Sequence, residues 1–156
     1  MKLNIQQFGG RGASSDYMMY HRPTQGGRLW DISEAVDKEE YGEGSGSFMP
    51  SDVYEHPEWY FNMNDVGVRD SVNKIRQLRN VSPETKVTIY RAQPSGKGLN
   101  NGDWVTLSKE YAQHHLDTQL DGNGEVVSFK VKAKDVAFAG DDIREYGYFG
   151  RKLRRK

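Results

Sequence analysis

The stretch Lys86-Val87-Thr88-Ile89-Tyr90-Arg91-Ala92 is rich in β-branched residues and alternates with period two, which predicts a strand. Just before it the period is helical. Val68, Val72, Ile75 and Leu78 lie on one apolar stripe across residues 65–79, and Asn80 with Ser82-Pro83 ends that helix. Downstream, Trp104 to Leu107, Glu125 to Val131, Asp135 to Phe138 and Glu145 to Phe149 read as further strands. Ser108 is placed to N-cap a helix running through His115, and Asp121-Gly122-Asn123-Gly124 reads as a hairpin-type turn. Helices early and strands late predict an α+β fold, a single domain of N-terminal helices followed by a mostly antiparallel β core.

Working outward, Ser51-Asp52-Val53-Tyr54 can start a short helix that Pro57 closes or redirects. Trp59-Tyr60-Phe61 reads as an aromatic knot of the core, and Leu29 to Val36 as a strand end or helical turn. Residues 1–15 have too little apolar surface to offset ordering and read as a flexible arm. Tyr41-Gly42-Glu43-Gly44-Ser45-Gly46-Ser47 superficially matches a phosphate-cradling loop. It lacks the strand before and the helix after that such a loop needs, so a linker or mobile loop is the reading. The domain proper is then 16–150, followed by the basic tail 151–156.

Composition narrows the function classes. The chain has 156 residues, enough for one domain, and no cysteine, so disulfides, thiolate metal sites and a Cys nucleophile are excluded. With 22 basic and 22 acidic side chains it is neither a nucleic-acid mimic nor a broadly basic coat. No apolar run approaches the ~20 residues of a membrane span, and the start lacks a signal-peptide core. Cytosolic residence is the expectation. No metal site is expected either: His114 and His115 are adjacent and diverge by about 100° on a helix. There is no Walker loop and no Gly-x-Ser-x-Gly elbow.

Three features carry candidate chemistry. Arg91 shares a strand face with Ile89, which makes it a fork for phosphate or carboxylate oxygens, or a snorkelling edge residue. Thr106 and Ser108 share a face where a strand turns into a helix, and their hydroxyls either fix a ligand or cap the helix. Glu145 stands at the start of an aromatic strand, either solvated or catalytic. The basic tail, with five basic residues in its six, would attract phosphates or acidic partners unless it is simply a solvated terminus.

In this order the features resemble the Arg-Ser-Glu class of mono-ADP-ribosyltransferases. Tyr90-Arg91 is similar to the first motif of that class, Trp104 to Ala112 to the second, and Glu145 to the third. The phrases Ile89-Tyr90-Arg91-Ala92, Asn101 to Ser108 and Ile143-Arg144-Glu145-Tyr146-Gly147-Tyr148 also resemble ADP-ribosyltransferase-like domains of bacteriophage and mobile-element proteins. So do His21-Arg22-Pro23 and Asp52-Val53-Tyr54, and the opening residues resemble the start of phage head-associated and accessory proteins.

The resemblance implies a β core of the ADP-ribosyltransferase type and NAD as substrate. Glu145 would be the catalytic residue, stabilising the oxocarbenium-like ribose as nicotinamide leaves. Arg91 would hold phosphates or the nicotinamide ribose, Thr106 or Ser108 would position the site, and Trp104, Tyr111 or Tyr146 could stack on a ring. The implied partner is a host protein, met in the host cytoplasm or from the virion, whose modification would counter host defence. The alternative is a non-catalytic accessory or anti-defence (anti-CRISPR type) protein that occludes a host partner. Two departures bear on this. Ile143 stands where arginine-modifying transferases carry a second carboxylate, and Thr-Leu-Ser replaces Ser-Thr-Ser. They leave a different acceptor, plain NAD hydrolysis or no activity open.

Overall fold

A computed structural model describes residues 30–32, 51–78, 81–138 and 142–155. The readings of residues 1–15, of His21-Arg22-Pro23, of the Tyr41–Ser47 loop and of most of Leu29–Val36 lie outside the described residues. Among the described residues the fold is mixed α+β, with two helices and antiparallel sheets.

Strand β1 (Trp30–Asp31) comes first, and helix α1 (Val66–Gln77) follows two short 3-10 turns. Asp65 caps α1: its carboxylate accepts from the Val68 N–H at 3.0 Å, satisfying one of the orphan donors of the first turn. The expected stripe is the buried face, with Val68, Val72, Ile75 and Leu78 all in the core. Strand β2 (Lys86–Gln93) pairs antiparallel with β4 (Glu125–Lys132) over its full length, from Lys86 opposite Lys132 to Gln93 opposite Glu125. Strands β3 (Trp104–Val105), β5 (Val136–Phe138) and β6 (Tyr146–Tyr148) join β1 in a second sheet of order β1-β5-β6-β3, all antiparallel.

An antiparallel bridge ties the two sheets. Tyr90 and Thr106 exchange N–H···O bonds of 2.8 and 2.9 Å. Helix α2 (Lys109–Gln119) packs on β2 and against α1. Its histidines diverge as expected, His114 outward and His115 fully buried.

Two sequence readings are corrected. Trp59-Tyr60-Phe61 is not a core knot: Trp59 is 62% and Tyr60 40% exposed, and only Phe61 packs against the core. These residues follow Pro57 in a 3-10 turn, whose side chains splay instead of sharing one face. Trp59 stacks on His56 at 3.9 Å, and the Tyr60 hydroxyl donates to Asp52 at 2.5 Å. The Asp121–Gly124 turn is not a hairpin. It closes the C-terminal end of α2, the Gly122 N–H returning to the Leu116 carbonyl at 2.9 Å, and leads into β4.

The C-terminal segment is held down as well. Leu99 and Leu153 exchange backbone hydrogen bonds of 2.8 Å each way, and the Tyr148 hydroxyl donates to the Arg151 carbonyl at 2.5 Å.

Candidate active site

The two halves of the candidate site rest on different elements. Thr106 and Ser108 lie just beyond β3, where the chain stops pairing and turns into α2. Both are buried. The Ser108 hydroxyl accepts from the Tyr111 N–H at 3.1 Å, so it is the N-cap expected of it. It also donates to the Asp70 carboxylate of α1 at 2.8 Å. Thr106 Oγ1 accepts from the Ser108 N–H at 3.2 Å, fixing the turn from the strand side.

One helical turn into α2, the Tyr111 hydroxyl donates to Glu145 Oε2 at 2.6 Å. Glu145, just before β6, is 2% exposed, so the solvated reading of this carboxylate does not hold. Burial, then the Glu145 charge, pushes the Tyr111 pKa above its ordinary value, so the phenol stays a donor throughout the physiological range. The Tyr111 ring is closely packed. The Arg144 guanidinium lies 5.0 Å from its centroid, and a Cβ on Gly67 of α1 would stand 3.0 Å from its Cδ1.

Arg144 is itself fixed. It grips Asp142 with a two-pronged fork of 2.9 and 2.8 Å and reaches Asp65 at 3.4 Å. These carboxylates, Asp142 first, raise the Arg144 pKa above its ordinary value. Asp65 therefore serves twice, capping α1 with one oxygen and meeting Arg144 with the other.

Arg91 does not snorkel. Its side chain is 12% exposed, Nε donates to Gln93 at 3.0 Å and Nη1 to the Trp104 carbonyl at 2.6 Å. Asp103 lies 4.0 Å away. Burial lowers the Arg91 pKa and Asp103 partly restores it, but a guanidinium remains charged. Nη2 has no hydrogen-bond partner among the described residues, which leaves one edge of the fork able to take an oxyanion. His115 sits in the field of Arg91. Its pKa is lowered to about 3, first by burial and then by Arg91 and His114.

The structure thus brings Thr106, Ser108, Tyr111 and Glu145 into one connected set. Arg91 joins Trp104 in a second set, and among the described residues no hydrogen bond links it to Glu145. Trp104 and Tyr146 are buried side chains. The Tyr146 ring packs against Phe138, their centroids 5.7 Å apart. Ile143 is a core residue, which explains its apolar character at that position. Sequence reasoning missed Asp65, Gly67, Asp70, Asp142 and Arg144. The pattern Asp-x-Arg at 142–144 and the carboxylates on the polar face of α1 were its only traces there.

Chemically, the first set holds a buried carboxylate against a phenol whose ring lies beside the Arg144 cation, with no His or Cys nucleophile in it. No group of residues suited to hold a metal occurs among the described residues, and none of their helices is long and apolar enough to cross a membrane. Compared with known proteins, the chain matches no family model, no curated protein and no solved structure.

Proposed function

We propose that this chain is an ADP-ribosyltransferase-like domain that takes ADP-ribose from NAD and transfers it to a host protein, as a phage-encoded counter to host defence acting in the host cytoplasm. The observation that carries the reading is the buried Glu145 carboxylate, held by the Tyr111 hydroxyl at 2.6 Å at the start of β6. Support comes from the Tyr90–Thr106 bridge, which joins the strand that bears Arg91 to the residue just beyond β3.

In the reaction the bond between ribose C1′ and the nicotinamide nitrogen breaks, and its electron pair neutralises the departing ring. A nucleophile of the acceptor forms the new bond to C1′ and loses its proton to solvent. Glu145 would face the positive charge that develops on the ribose, in a dry site where that interaction is strongest. The open edge of Arg91 would take the pyrophosphate or the nicotinamide ribose, while Ser108 and Thr106 keep α2, and with it Tyr111, in place.

The test is nicotinamide release from NAD by purified protein, with and without host lysate, beside Glu145→Gln. Release that needs lysate and disappears in the variant supports transfer, and release without lysate means a glycohydrolase. No release, with no NAD binding by calorimetry, removes the reading.

A second reading has its own observation. Trp59, Tyr60 and the α1 residue Val66 are large apolar side chains left in solvent, at 62%, 40% and 41% exposure. Aromatic residues of this kind anchor protein interfaces. A non-catalytic anti-defence protein of the anti-CRISPR type would use such a surface to occlude a host partner.

A further inference from the structure

The cationic end of the chain forms a groove with the loop before Leu99. Gly96, Gly98, Lys152, Leu153, Arg154 and Arg155 line a space of about 400 Å³, the size of an ordinary ligand cleft. The segment is held in place from four sides. Leu153 pairs with Leu99, Tyr148 holds the Arg151 carbonyl, and Asn101 donates to the Gly150 carbonyl at 3.0 Å. Arg155 grips Glu125 at 2.9 and 3.1 Å.

Gly98 makes the close approach feasible, since a Cβ there would run into the Leu153 carbonyl and the Arg154 backbone. With Leu153 turned inward, Arg151, Lys152 and Arg154 stay exposed, and none has an ion-pair partner among the described residues. Lys97, at the lip of the same loop, is exposed too. In a chain with no net charge, the exposed Lys152 and Arg154 therefore line the groove, and Lys97 and Arg151 adjoin lining residues in sequence.

This face already recognises an oxyanion. The Glu125 carboxylate is bound by the Gly96 N–H at 2.9 Å together with the Arg155 fork, which lowers its pKa to about 2. The remaining cations have no ion-pair partner among the described residues, and the lining indicates which kind of outside anion would suit them. Leu153 is its only apolar side chain and there is no aromatic, so the desolvated anchors of a protein interface are missing. Cations on an extended segment beside bare glycine backbone suit a repeating anion that can lie close to the main chain.

We infer that the groove between Gly96–Gly98 and Lys152–Arg155 is a binding site for the phosphate backbone of nucleic acid, without readout of base identity. Binding uses Lys97, Arg151, Lys152 and Arg154, and it is independent of the NAD chemistry proposed above.

The experiment is fluorescence anisotropy of the full chain with a labelled mixed-sequence DNA, single- and double-stranded, across a salt series. Four contacts give a slope of about −3 to −4 in log K against log salt. Lys152→Glu with Arg154→Glu should weaken binding at least tenfold at low salt and make the slope shallower by about two. Lys130→Glu, an exposed lysine of β4 outside the groove, should change little beyond its effect on net charge. Circular dichroism on each variant confirms folding, which exposed positions should not disturb. Three outcomes overturn the inference: no binding to either DNA at 50 mM salt, equal weakening by Lys130→Glu, or tighter binding to poly-glutamate of matched charge. The last would make the partner an acidic protein.

Discussion

The Tyr111 hydroxyl and the Glu145 carboxylate form a buried hydrogen bond of 2.6 Å that fastens the start of β6 to the first turn of α2. The phenol is the structural counterpart of the carboxylate. Its ring packs closely on Gly67 and Arg144, so the oxygen it presents to Glu145 has little room to move.

Tyr111→Phe keeps the ring and deletes the donor. Leaving Glu145 Oε2 without this bond should cost about 1–3 kcal/mol in urea unfolding. In the proposed reaction, nicotinamide release should fall with it. A double-mutant cycle with Glu145→Gln should show coupling of about 0.5–3 kcal/mol, and strictly additive effects would mean that the two residues act separately.

Ser108 is a cap for α2 and a donor to Asp70, 38 residues away in sequence. Ser108→Ala should lower stability by about 1 kcal/mol through the lost cap, with a further cost for the bereft Asp70 carboxylate. Asp70→Ala should cost less, because the cap survives. Equal stability of Ser108→Ala and wild type in chemical denaturation would refute both roles.

His115 gives the fold an acid weakness. It is fully buried and stays neutral until about pH 3, whereas an unfolded chain takes up that proton near 6.5. The unfolded state thus binds more protons between those values, so stability falls as pH drops from about 6.5 towards 3 and the loss levels off below. Glu84, held by Lys134 and Lys132, and Glu125, held by Arg155, have pKa values near 2. Their stabilisation is present above about 4.5 and is lost as pH falls through that range towards 2. The clean window for the histidine is therefore 6.5 to 4.5. There His115→Gln should flatten the slope of unfolding free energy against pH, and an unchanged slope would assign the effect to another group.

Gly98→Ala should dislodge the C-terminal segment, because the added methyl would occupy the space of the Leu153 carbonyl. Limited trypsin digestion at Arg151, Lys152 and Arg154 should accelerate several-fold, while the helical circular dichroism signal is kept. Unaltered cleavage would show that the strand-like pairing at Leu99 tolerates the side chain.

What the sequence disclosed and what it hid follow from the range of the forces involved. The α1 stripe, the β2 alternation and the Ser108 cap are set by neighbours within one or two turns, and all were readable in order. The outward turn of Trp59 and Tyr60 was not, because a 3-10 turn after proline imposes no periodic face. The partners of Glu145 and Ser108 were hidden for another reason. Tyr111 is 34 residues from Glu145, and Asp70 is 38 from Ser108, so only the docking of α1, α2 and β6 brings them together. For Arg91, alternation gave the face but not its occupation, since the Trp104 carbonyl it holds belongs to a strand that pairs elsewhere.

The Tyr90–Thr106 bridge has a mechanical consequence. Both backbone bonds of the pair lie at one point, and the Arg91 guanidinium holds the Trp104 carbonyl beside them, so β2 and β3 cannot shift past one another without breaking all three. Residues 90 and 106 act as a clamp that sets Arg91 and the Ser108 turn relative to one another. A ligand that touched both would meet groups already fixed in place, with little ordering left to do.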